Sequence, residues 1–121
     1  MELLTKAAWL AIAAVHITPS LVLFSPTLTQ TLYRVSPEGP VGLLLTHRGG
    51  LFLGLVAVSL LAALDPGARR AAALAATISL VSYLALYLRA GMPPGALRTV
   101  ALVDAWALLP LILVIVDAWR R

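Results

Sequence analysis

The chain has 121 residues, 61% of them hydrophobic and 12% charged, with a formal net charge of +4 and no cysteine. That balance excludes a soluble domain, which at this length needs far more polar surface. The basic residues are scattered singly or in pairs near the ends of apolar runs, which excludes a nucleic-acid-binding face, and the lack of cysteine excludes disulfides, thiol catalysis and thiolate metal sites.

About 20 apolar residues cross a hydrocarbon core roughly 30 Å thick, so the chain has room for four crossings joined by short loops. The first span is predicted over about residues 5–25. Lys6 before an alanine-rich stretch resembles a signal peptide, but hydrophobicity continues well past Ala14, so an uncleaved span is expected. Pro19 removes a backbone donor and leaves the Val15 carbonyl without its helical partner, which predicts a kink beside His16. Residues 27–36 are too polar to cross and read as an interfacial segment, with Tyr33 and Arg34 at headgroup level.

Pro37, Gly39 and Pro40 break the chain before a second span at about 41–64, which carries Thr46, His47, Arg48, Gly49 and Gly50 in its first half. Asp65, Pro66 and Gly67 form a turn signal, followed by Arg69 and Arg70. The third span is expected at 71–90, ended by the glycines and prolines of 91–95. The fourth is expected at 99–119, loosened near Pro110. These short connections predict an all-α, integral membrane, antiparallel four-helix bundle in a single transmembrane domain. Lys6, Arg69, Arg70, Arg120 and Arg121 fall at the end that holds both termini, against Arg34, Arg48, Arg89 and Arg98 at the other, which predicts cytoplasmic termini. Val-Asp-Ala-Trp occurs at 103–106 and again at 116–119. At about 100° per residue the two copies face different sides of the helix, so the echo reads as accidental.

Asp104 stands inside the apolar run of the fourth span, where an ionisable group is costly and faces a partner, a cavity or a substrate. At about 1.5 Å per residue, Arg48 lies roughly 10 Å into the second span and Asp104 on the order of 8 Å into the fourth from the same face, so the two are expected to pair. His47 is rotated about 100° from Arg48 and is expected to border the same cavity without pointing identically. His16 lies one to two turns deeper. Ser79, Tyr83 and Tyr87 form a polar stripe on the third span, Arg89 stands at its outer end, and Glu38 hangs in the loop above. Asp117, in the inner half, is read as a neighbour of Arg120 and Arg121.

This convergence suggests acid–base chemistry on a lipidic or hydrophobic small molecule. Asp104 would serve as base or anchor, His47 or His16 would move a proton, and Arg48, Tyr83 and Arg89 would hold the substrate. Two other readings fit the same residues. In one, the buried pairs only fix helix packing. In the other, an oligomer of this chain couples Asp104 to proton-driven transport. Gly49, Gly50 and Gly54 read first as close helix packing and second as room beside His47. No cofactor or metal is expected, since the chain has no G-x-S-x-G, no P-loop, no dinucleotide fingerprint and no close-spaced ligand motif. The expected partners are a membrane lipid or hydrophobic small molecule and, in a homo-oligomer, a second copy of the chain.

His16 with Pro19, Leu32 with Tyr33 and Val35, the run from Leu44 to Arg48, and Val103 with Asp104 resemble a group of uncharacterised bacterial four-span proteins, distantly related to the DoxX-like membrane families. The resemblance covers nearly the whole chain. It implies a bacterial inner-membrane location and favours His16, His47, Arg48 and Asp104 as a set, but it supplies no reaction. Some members are called phosphopantetheine adenylyltransferase, an activity for which this chain has neither a nucleotide-binding loop nor a soluble domain. In that group the residue after Tyr33 is usually glycine, and here it is Arg34. Gly49 and Gly50 replace bulkier residues, which implies a roomier pocket.

Overall fold

The computed structural model describes residues 1–120, leaving Arg121, counted above with the basic residues of the terminal end, outside the described residues. The chain forms α1 (Glu2–Ser20), α2 (Leu28–Tyr33), α3 (Gly39–Leu64), α4 (Arg69–Arg89) and α5 (Ala96–Arg120), with 3₁₀ turns at Leu21–Leu23 and Pro66–Ala68. Four of these segments are long and apolar enough to cross a membrane, and the described residues contain no β-strand. The four spans run antiparallel and bring both ends of the chain to one end of the bundle, the terminal end. The other is the loop end.

Hydropathy places the spans well because hydrocarbon thickness sets their length. The polar stretch after the first span forms the short α2. Pro19 stays within α1, which gives way to the 3₁₀ turn two residues later, at Leu21. Pro110 stays within an unbroken α5, so the expected loosening there does not end the helix. The helix of the third span, α4, starts at Arg69 rather than 71, which carries Arg69 into the bundle.

α1 packs most extensively on α3, and α4 on α5. Gly49 permits the first pairing: a Cβ there would stand 2.8 Å from the Leu23 backbone nitrogen and 3.2 Å from the Pro19 carbonyl oxygen. Only hydrogen fits between those backbones. Around Trp9, Ile12, Leu80, Leu111 and Val114, all at most 2% exposed, the filler is largely alanine: Ala72, Ala73 and Ala76 of α4 are fully buried. Small residues let helices approach closely where burial from lipid adds little driving force.

The exit from α2 is locked by side chains. Arg34 takes a left-handed conformation (φ 57°, ψ 39°), and its N–H donates to the Gln30 carbonyl at 3.0 Å. Thr29 Oγ1 donates to the Val35 carbonyl at 2.8 Å, while the Val35 N–H donates to the Thr29 carbonyl at 3.2 Å. Arg34 thus occupies a backbone region that favours glycine.

At the terminal end the Asp65 carboxylate accepts from the Gly67 N–H at 2.9 Å and shapes the turn into α4. Arg69, 1% exposed, then folds inward. Its Nη2 and Nη1 donate to the two Glu2 carboxylate oxygens at 2.6 and 3.2 Å, Nη1 reaches Asp117 Oδ2 at 3.5 Å, and Nε donates to the Ala62 carbonyl at 2.8 Å. Arg70 Nε donates to the Ala118 carbonyl at 3.0 Å. Ala62 and Ala118 lie in the last turns of α3 and α5, where carbonyls lack helical donors and the helix dipole is negative, so guanidinium groups fit both needs. Arg69, counted from sequence only among the basic residues at the terminal end, is thus a buried partner inside the bundle. Asp117 is fully buried with Arg69 as a partner, not merely a neighbour of the terminal arginines.

Candidate functional site

The polar groups of the loop-end half form a column. His16, 2% exposed, faces Ser79 across the bundle. The Ile12 carbonyl, 2.8 Å from Nδ1, can only accept, so Nδ1 carries the proton. In the neutral ring Nε2 then accepts from the Ser79 hydroxyl at 3.1 Å. The Phe52 ring lies 5.5 Å from the His16 ring, and the Arg48 guanidinium stands 4.5 Å from the centre of Phe52. Tyr33 and Tyr83 rings lie 5.6 and 6.0 Å from that guanidinium, and Arg48 Nη1 donates to the Tyr33 hydroxyl at 3.2 Å.

Arg48 is therefore caged by aromatic rings. Among the described residues no ion pair within 4 Å joins it to Asp104, which corrects the expected pairing. Counting residues fixes the height of a side chain but not its direction. Arg48 lies one helical turn before Phe52, so its long side chain settles on a ring of its own helix and on Tyr33 of α2, where the π faces and the phenol oxygen replace a carboxylate.

The other expected site residues divide. The Tyr83 hydroxyl donates to the Leu97 carbonyl at 2.8 Å, tying α4 to the first turn of α5, and the Tyr87 hydroxyl donates to the Pro93 carbonyl at 2.8 Å, tying α4 to the loop before α5. His47 and Arg89 are exposed and make no hydrogen bond or ring contact among the described residues. The 100° rotation that turns Arg48 inward turns His47 outward, away from the column.

Asp104 instead lines a recess of about 640 Å³ bounded by α1, α2 and the first turns of α5. The wall includes Thr18 and Pro19 of α1, Thr31 and Tyr33 of α2, Arg34, and Thr99 of α5. Val15 also lines it, and its carbonyl is the one that Pro19 deprives of a helical donor. Asp104 is partly buried and makes no hydrogen bond or ion pair among the described residues. The recess thus combines a carboxylate, hydroxyl-bearing residues and an arginine with apolar walls. Such a lining has the chemistry to hold the polar end of an amphiphile, with Asp104 as its acidic and Arg34 as its basic lining residue. No group of three or more His, Cys, Asp or Glu able to hold a metal ion occurs among the described residues.

Sequence reasoning missed Tyr33, Arg34 and Phe52 as parts of this region. The spacing of Phe52, four residues after Arg48, was a signal for the first cage ring. Thr29 and Tyr33 on a short polar helix were a signal that α2 docks on the bundle. Comparison with protein-family models, curated proteins and solved structures returned no match.

Proposed function

We infer that this membrane protein binds an amphiphilic small molecule from the bilayer in the recess between α1, α2 and α5, with Asp104 holding its polar end. The observation that carries this reading is Asp104 itself, a carboxylate within a membrane-spanning helix, beside open volume and without an ion pair among the described residues. Such a charge is costly and faces a partner or a substrate. The packing role that would otherwise explain it is filled at the opposite end by Arg69 and Asp117.

An acid–base step on that ligand is the finer form of the reading, with Asp104 as base. His16 is a weaker candidate for proton transfer, since both its ring nitrogens already have partners. Kinship with the similar four-span group, a bacterial inner-membrane location and cytoplasmic termini belong to the same proposal.

A photoactivatable long-chain amine in proteoliposomes tests the site. Asp104→Asn should reduce labelling of α1 and α5 about tenfold, the effect of losing one charge-assisted hydrogen bond. Equal labelling of the variant and the parent protein would sink the reading in favour of packing alone.

A further inference from the structure

A second concavity, of about 730 Å³, lies between α4 and α5 on the side away from Asp104. Its wall is Val81, Leu84, Leu88, Leu102, Leu108 and smaller apolar neighbours, with Met92 at the loop end. Tyr87 and Arg98 are the only lining residues with polar side-chain atoms. The Tyr87 hydroxyl already donates to the Pro93 carbonyl, and Arg98 has no side-chain partner among the described residues. No acidic residue lines the groove.

We propose that this groove holds one acyl chain of an anionic phospholipid, with the lipid phosphate on Arg98. Three observations fit together. Arg98 stands in the first turn of α5, where the span begins, so it lies at headgroup level. From Arg98 to Leu108 the groove follows α5 for ten residues, about 15 Å at 1.5 Å per residue. That is half of a hydrocarbon core of roughly 30 Å, the depth of one leaflet. An apolar trough of that depth with a single unneutralised guanidinium at its mouth matches a chain plus a phosphate, and arginine suits phosphate oxygens by its planar donor fork. Arg89, also exposed at the loop end of α4, adds positive charge at the same level and disfavours a neutral or cationic headgroup.

The full chain, purified in mild detergent and offered equal amounts of phosphatidylglycerol and phosphatidylcholine with identical chains, should retain the former severalfold over the latter in native mass spectrometry. Arg98→Gln should bring the two lipids close to parity, and Arg120→Gln, exposed at the opposite end, should leave the preference intact. Ala105→Trp fills the groove at an exposed position and should expel phosphatidylglycerol without unfolding the protein. Asp104→Asn should leave its retention unchanged, which separates this groove from the recess. Equal retention by the parent protein, a preference that survives Arg98→Gln, or retention that survives Ala105→Trp would each overturn the proposal. Loss of phosphatidylglycerol in Asp104→Asn would do so as well, by assigning the lipid to the recess.

Discussion

The two ends of the bundle handle buried charge in opposite ways. At the terminal end Arg69 meets the carboxylates of Glu2 and Asp117 and the Ala62 carbonyl, and nothing about it calls for a ligand. At the loop end Arg48 rests on aromatic rings while Asp104 stands beside open volume with no ion pair among the described residues. A charge saturated by its own protein is part of the scaffold, whereas a charge with room beside it remains available for chemistry. The contrast lies in the partners rather than in the residue types, because each end has an arginine and an aspartate inside membrane-spanning helices.

The sharpest way to break this contrast is Arg69→Met. Removing one member of a buried ion pair costs about 3–5 kcal/mol, to be read by denaturant or detergent titration. Adding Asp117→Leu should recover most of that loss. A loss under about 1 kcal/mol for the single variant would put the terminal cluster among weak surface pairs and erase the distinction. Next in size is Gly49→Val, in which a branched side chain must fit where the Leu23 and Pro19 backbones already touch. The overpacking should cost about 1–3 kcal/mol, and a neutral outcome would mean that α1 and α3 are not locked together.

Asp104→Leu carries the opposite sign. Stability should stay level or rise by up to about 2 kcal/mol, since a charge leaves the membrane interior, while amine labelling in the recess falls. A large destabilisation there would make Asp104 a strut like Asp117. The smallest effect is expected from Arg34→Gly. A left-handed non-glycine residue costs about 1–2 kcal/mol, against about 0.5–1 kcal/mol for the extra chain entropy of glycine. The net is a gain of about 0.5 kcal/mol, visible as a small rise in melting temperature.

The spans were legible in the sequence because bilayer thickness converts composition directly into helix length, and Asp65, Pro66 and Gly67 marked the tightest turn in plain chemistry. The pairing of charges was not legible. Arg48 and Asp104 share a height, but height says nothing of azimuth, and three aromatic rings supplied an alternative for the arginine that no spacing rule ranks. His47 failed to join its neighbour for the rotational reason already present in the sequence. The terminal cluster was more accessible than the reading allowed. In an up-down bundle the turn at 65–67 lies level with both chain ends, so Arg69, Glu2 and Asp117 share a height, and all three charges could have been weighed as one group. The Val-Asp-Ala-Trp echo was rightly set aside as a repeat, but its second aspartate is a buried charge paired with Arg69.

Arg69 also has a mechanical consequence. It belongs to α4 and grips Glu2 of α1, the Ala62 carbonyl of α3 and Asp117 of α5, so one side chain fastens all four spans at a single level. Helices riveted at one end fan apart most easily at the other, like slats of a blind held along one edge. Amide exchange in α5 should therefore quicken from Asp117 toward Thr99, with the greatest freedom at the seam where α1 and α5 flank Asp104. A guest would need only that seam to part for passage from the bilayer, while the fastened end keeps the fold intact.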